Sequence, residues 1–413
     1  MDEAQASEFT RRRFLKGAGA AGGAAFIAGC TGDGSGEAGT TTGTDATTDR
    51  TTTGRHATTT DATGPYSVTM SPMGQVEFDS VPENVFTVFP QYADMAVALG
   101  RGDAVNAVYV PEMSGTTMNH YYHHLDGVAF DWEGLHDPLA DGLPKELLFE
   151  LDSDVHLADP AWASTQDNWT RSDVEEIGSQ IAPWFGNFYS GTRASPPKGY
   201  DGYRYYDLWE LFGKVAAVFR ETERYEALAQ IHADLVSTIQ EKLPPKEERP
   251  TAVRVTLAGD GESFWTYHLN EPGYWLADTR PLGANDAFAE KDWGSLWGQV
   301  DYETMLEADP DVILHLWGMT PNYSMSDTLA SLKDHPVGSR LTAVKNDRVY
   351  PAGMRYQGPV MNLFQIEMGA KQLYPDLFGE WPDYEDGQHY PRIPEDERLF
   401  DRTEVADIIT SGA

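Results

Sequence analysis

Two stretches far apart in the chain, ELLFELDSDVHLA (Glu146–Ala158) and ETMLEADPDVILH (Glu303–His315), follow one design. Each opens on a glutamate, carries apolar residues at helical intervals, turns through acidic residues, and ends in a short apolar run of strand type. A helix feeding a strand at equivalent points of two halves is one unit used twice. The chain is therefore constrained to fold as two similar modules.

The surrounding pattern is β then α, repeatedly. Asn84–Phe89, Ala104–Val110 and Asp154–Ala158 read as strands, with helices at Tyr92–Leu99 and Lys145–Glu150. A second series has strands at Thr251–Ala258, Asp311–Leu316 and Arg348–Tyr350. Such alternation packs as parallel α/β structure. Between the series, Tyr206–Leu243 has no strand and no proline, and Leu228, Ile231, Leu235 and Ile239 share one helical face. Unbroken, that helix would be about 57 Å long at 1.5 Å per residue. Gly213 and Arg220–Arg224 are its candidate breaks, and Pro244-Pro245 stops it. The expectation is an α/β fold of two Rossmann-like lobes, 66–205 and 246–413, joined by a long α-helix over 206–245. Such an arrangement leaves a cleft between them.

The amino terminus points to export. Arg11-Arg12-Arg13-Phe14-Leu15-Lys16 has the form of a twin-arginine signal, and Gly17–Ala28 is too short and too weakly apolar to span a bilayer. Ile27-Ala28-Gly29-Cys30 has the form of a lipobox, which makes Cys30 the lipidation site and 1–29 a removable leader. Residues 30–65, rich in Thr, Gly and Asp, read as a flexible tether reaching about 30 Å. The expected location is extracytoplasmic, on a membrane lipid anchor.

Composition excludes several functions. Net charge is −35, which opposes nucleic-acid binding and matches proteins of salt-loving microbes, where salt screens self-repulsion. Aromatic residues make up 12% of the chain, too many for an acidic disordered protein. Cys30 is the only cysteine, so disulfides, cysteine-ligated zinc and a cysteine nucleophile are ruled out. No G-x-S-x-G or H-E-x-x-H motif occurs. His120, His123 and His124 fall on one helical face, a spacing open to a transition metal or to plain surface.

Five segments resemble, in order, the class III substrate-binding proteins of ABC importers, which carry iron-siderophores, haem or cobalamin. They are VFPQYADMAVALGRGDAVNAVYV (Val88–Val110), LPKELLFELDSDVHLAD (Leu143–Asp159, with Ser153 where proline is usual), RPLGANDAF (Arg280–Phe288), VDYETMLEADPDVILH (Val300–His315) and AVKNDRVYPAG (Ala343–Gly353). The resemblance implies a monomeric carrier without enzymatic turnover or cofactor, which captures a metal chelate and delivers it to an ABC permease dimer. Iron(III)-siderophore is the first expectation. Haem or cobalamin is the alternative within the fold, and an exported metal-dependent hydrolase the alternative of another class. The resemblance also implies permease docking by Glu146 and Glu303.

Ligands of such folds bind between lobes at strand carboxyl ends. The residues placed there are Gln91 and Tyr92; Trp162; Phe264, Trp265 and Tyr267, followed by Tyr274 and Trp275; Trp317; and Arg355 with Tyr356. Aromatic faces around one arginine suit a bulky, partly apolar anion. The stretch 169–205 reads as an insertion and 380–413 as an extension past the usual end; either could cover the cleft.

Overall fold

The computed structural model describes residues 64–258 and 261–412. The expected twin-arginine signal, the expected lipidation site Cys30 and nearly all of the expected tether lie outside the described residues. None of the described helices is long and apolar enough to cross a membrane.

A hairpin of β1 (Tyr66–Met70) and β2 (Gly74–Phe78) precedes lobe 1. The lobe 1 sheet is parallel, with β3 (Val85–Thr87) between β4 (Val105–Ala107) and β5 (Val155–Leu157). Its helices are α1 (Pro90–Ala98), α2 (Pro111–Tyr122), α3 (Lys145–Leu151), α4 (Pro160–Ala163) and α5 (Arg171–Gln180). Every residue of β3 and β5 is buried, as expected of parallel strands covered on both faces.

The expected single long helix is two helices, α6 (Leu208–Phe219) and α7 (Thr222–Lys242). Arg220 ends the first in the left-handed region at φ 56°, and the chain restarts two residues later. Asp207 and Glu210 close a capping box at the start of α6. Leu228, Ile231, Leu235 and Ile239 are the buried residues of α7, the stripe their spacing predicts.

Lobe 2 has a six-stranded mixed sheet. Its strands are β6 (Thr251–Leu257), β7 (Ser263–Tyr267), β8 (Asn285–Asp286), β9 (Trp297–Asp301), β10 (Val312–His315) and β11 (Val349–Pro351). They run in the order β11-β10-β6-β7-β9, with β8 on the first two residues of β6. The β10, β6 and β11 strands are parallel, whereas β7 and β9 pair antiparallel. The residues after β6 thus form a strand where the sequence suggested a cleft loop. Its helices are α8 (Tyr302–Ala308), α9 (Met325–Asp334) and α10 (Thr342–Lys345); the chain then continues through α11 (Pro359–Leu373), α12 (Pro375–Phe378) and α13 (Arg402–Ser411), the last of which packs against α7.

The repeated unit is visible in the backbone. Helices α3 and α8 each end on an aspartate in the left-handed region, Asp152 at φ 43° and Asp309 at φ 36°. Two residues on, Asp154 accepts the Asn84 main-chain N–H at 2.8 Å and Asp311 accepts that of Thr251 at 2.9 Å. Each aspartate thus ties its own strand to the start of the next one. Glu146 and Glu303 both stand exposed at the second helical position, where the helix dipole favours an acid.

Helix α11 lies between the lobes. All fifteen of its residues are buried, and it packs against α1, α2, α6 and α7. Asp94 of α1 accepts the N–H groups of Val360 and Met361, at 3.0 and 3.2 Å, while its other oxygen accepts the Tyr122 hydroxyl. A lobe 1 carboxyl thereby caps the N-terminus of α11. Gly358 sits so close to Asp94 that a Cβ would meet its carboxyl oxygen at 2.4 Å.

Candidate ligand-binding cleft

The turn after β3 delivers Phe89, whose ring is the meeting point of the lobes. It stacks on Phe188 at 5.0 Å and on Tyr356 of lobe 2 at 4.8 Å, with Trp162 edge-on at 5.1 Å. Phe188 lies 5.9 Å from Trp275. Gln91 crosses the same boundary, its amide donating to the Tyr274 hydroxyl at 3.2 Å. The insertion, through Phe188, therefore forms part of the wall.

On the lobe 2 side, the turn after β11 carries Arg355, which is only 3% exposed. Its guanidinium donates to the hydroxyls of Tyr267 and Tyr356, each at 2.9 Å. It stands 4.2 Å from the Trp275 ring, 4.9 Å from Tyr356 and 5.8 Å from Trp317. Trp297 stacks behind Trp275 at 5.7 Å. No carboxylate pairs with Arg355 among the described residues, and its Nε has no partner there. Burial works against the charge, but the Tyr267 and Tyr356 oxygens outweigh it and raise the arginine's pKa. The site is a buried cation in a cage of ring faces.

Trp317 reaches the cage by backbone strain. It sits at φ 71°, disfavoured for a bulky residue, and its N–H donates to the Gly353 carbonyl at 2.9 Å. Tyr109, after β4, stands near Tyr356 and Arg355; burial and the Tyr356 oxygen raise its pKa, with Arg355 opposing.

Trp162, Tyr267, Trp317, Arg355, Tyr356 and Gln91 come together around this boundary. Three other expected residues do not join them. Phe264 alternates into the lobe 2 core and packs 4.7 Å from Tyr302, so it is a core residue. Tyr92 serves lobe 1 internally, its buried hydroxyl accepting the Asn187 N–H at 2.7 Å. Trp265 stands half-buried on β7 opposite Thr256 and Gln299. Phe89 was hidden by its place at the end of an apolar strand run, and Phe188 by a segment without periodicity.

His120, His123 and His124 face the extension instead of the cleft. His123 stacks on His389 at 4.0 Å, and no group of three ligating side chains is arranged around a metal position among the described residues.

Comparison with known proteins agrees with this frame. A sequence model described as "Periplasmic binding protein" matches residues 139–356. The fold resembles a periplasmic binding protein from Veillonella parvula (TM-score 0.52, 18% identity, covering 77% of this chain and 94% of that one). It also resembles the haem binding protein HmuT (TM-score 0.52, 18% identity, covering 76% and 92%). A third likeness is to an ABC-type Fe3+-hydroxamate transport system protein of Saccharomonospora viridis (TM-score 0.50, 17% identity, covering 75% and 99%). No curated protein matches the chain by sequence.

Proposed function

The chain belongs to the periplasmic binding protein family, and from that premise we propose that it is a lipid-anchored carrier for an anionic metal chelate, iron(III)-siderophore foremost. Arg355 carries the proposal. Its guanidinium stays charged in the cage, held by two tyrosine hydroxyls and paired with no carboxylate among the described residues, so its charge is open to an incoming anion. Its planar fork suits paired oxygens such as those of a hydroxamate or carboxylate. The rings of Phe89, Trp162, Phe188, Trp275 and Trp317 offer faces for the apolar body of such a ligand.

Phe89 lies directly on Tyr356, so a bulky ligand enters by parting these two rings. Nothing in this role requires a bond to be made or broken. Export by the twin-arginine route and lipidation at Cys30 would hold the carrier at the membrane. Glu146 and Glu303, at matching positions of the two units, would meet basic residues of a permease dimer.

Tryptophan-fluorescence titration of the domain from residue 64, in high salt, tests the reading. Ferric hydroxamates, ferric catecholates, haem and cobalamin are the ligands. Saturable quenching by a ferric chelate is expected, without ligand turnover. An unchanged signal with all four classes, beside quenching by a free metal or oxyanion, overturns it. For docking, Glu146→Ala/Glu303→Ala should abolish uptake into vesicles bearing the permease while leaving chelate affinity unchanged. Unimpaired uptake removes these residues from the interface.

A further inference from the structure

The extension past α12 crosses from one lobe to the other. At Asp386 it grips lobe 2: one oxygen accepts the Met325 N–H at 2.6 Å, and the other accepts the Ser324 and Ser326 hydroxyls at 2.8 and 2.6 Å. This carboxylate caps α9. Tyr384 packs against the lobe 2 core. Four residues after Asp386 the chain is on lobe 1, where the Tyr390 N–H donates to the His120 carbonyl at 3.0 Å and His124 Nε2–H donates to the Tyr390 carbonyl at 2.6 Å. The Tyr390 hydroxyl donates to buried Glu367 of α11 at 2.8 Å.

Imidazoles make up the lobe 1 end of this crossing. His389 lies on His123 with ring planes 6° apart and centroids 4.0 Å apart, and meets His120 edge-on at 5.2 Å. His124 is 5.4 Å from His123. His120 is 5% exposed with Nδ1 unpartnered, whereas His123 and His389 are open to solvent. Neutral rings stack well at this distance. Two imidazolium rings would place like charges face to face.

We propose that residues 384–390 form a strap across the lobes, and that the imidazole cluster of His120, His123, His124 and His389 is a catch released by acid. Among the described residues, the charged and titratable groups acting on these rings give no counter-charge to hold it. From α2 and the two residues after it come only the other histidines; from lobe 2, the Met319 main chain reaches His120; behind His124 stand Arg398 and Arg402. Glu367 is committed to Arg402, Tyr390 and the Leu399 N–H, and Asp386 to its cap. Burial lowers the pKa of His120, and His389 and His123 lower it further while the Met319 main chain opposes. His124 and His389 shift the same way, again chiefly through burial. Histidines depressed in the docked state hold the strap fully above the usual imidazole value of about 6.5, and that hold is lost as pH falls below it. Release removes one of the ties between the lobes, and it does so independently of which ligand the cleft takes.

Amide hydrogen exchange on the whole protein tests the catch, with rates corrected for the intrinsic pH effect. Between pH 7.5 and 5.5 the Tyr390 and Met325 amides should lose protection by about tenfold or more, while the β3 and β10 amides hold theirs. The His123→Gln/His389→Gln variant changes two exposed side chains, removes the stacked pair and should lose less protection at pH 5.5 than the wild type. Unchanged protection in the wild type overturns the proposal, as does an equal fall in the variant. Asp386→Ala cuts the other end and should expose the Tyr390 amide even at pH 7.5. A protected amide there would show that 384–390 does not act as one strap.

Discussion

Lobe 1 and lobe 2 share a helix–turn–strand unit, down to the left-handed Asp152 and Asp309, yet they build different walls. Lobe 1 has three parallel strands and presents ring faces: Phe89, Trp162 and, through its insertion, Phe188. Lobe 2 widens its sheet with antiparallel β7 and β9, and that widening brings Tyr267 to Arg355 and Trp297 behind Trp275. The frame is duplicated and the chemistry is not. One lobe offers shape and the other offers charge.

The largest expected effect breaks the charged side. Arg355→Ala should weaken chelate binding by about a thousandfold, since truncating one partner of a buried charge pair costs roughly 2–5 kcal/mol. Phe89→Ala should weaken it by about tenfold, the scale of one aromatic contact. Fluorescence titration of both variants measures the contrast directly. Equal losses would mean that lobe 1 contributes as much specificity as lobe 2.

Next in size is the joint through which lobe 1 holds α11. Burial raises the Asp94 carboxyl from its usual range to about 7, against the Tyr122, Met361 and Val360 hydrogen bonds. The native protein therefore holds a proton that the unfolded chain has lost between about pH 4 and 7. Stability from this group is full at the acid end of that window and falls as pH rises through it. Asp94→Asn keeps the shape and removes the titration. From pH 4 to 8 the wild type should lose about 3 kcal/mol relative to the variant, read by urea unfolding. Parallel curves would show that Asp94 does not titrate in this range.

Much of the frame was legible because it is local. Strand and helix alternate at the expected places, and the α7 stripe is buried as its spacing demands. The α6–α7 break was visible only as one of two weak points, because Arg220 has no intrinsic preference for its left-handed backbone. What stayed hidden depends on partners distant in sequence. Whether Ser263–Tyr267 is a loop or a strand is decided by β9, more than a whole turn of chain away, so Phe264 was placed in the cleft and not in the core. The same holds for the histidines of α2, whose partner His389 lies in the extension. Arg355 was singled out by its position after a strand, and the structure gathers Tyr267, Trp275, Trp317 and Tyr356 around it.

The smallest expected effect asks whether the shared unit is equal in energy as well as in form. Asp154 accepts the Glu83 and Asn84 N–H groups, both at 2.8 Å, from an exposed position; Asp311 accepts one, from Thr251 at 2.9 Å, from a half-buried one. A second hydrogen bond strengthens the first site, while solvent competition weakens it. These differences oppose each other, so Asp154→Ala and Asp311→Ala should each destabilise by about 1 kcal/mol in urea unfolding. The sites lie in different lobes and share no partner, so the double variant should show the sum. If Asp154→Ala is silent while Asp311→Ala is costly, burial outweighs bond number at this turn. The two lobes would then be alike in backbone only, with lobe 2 holding the stability as well as the charge.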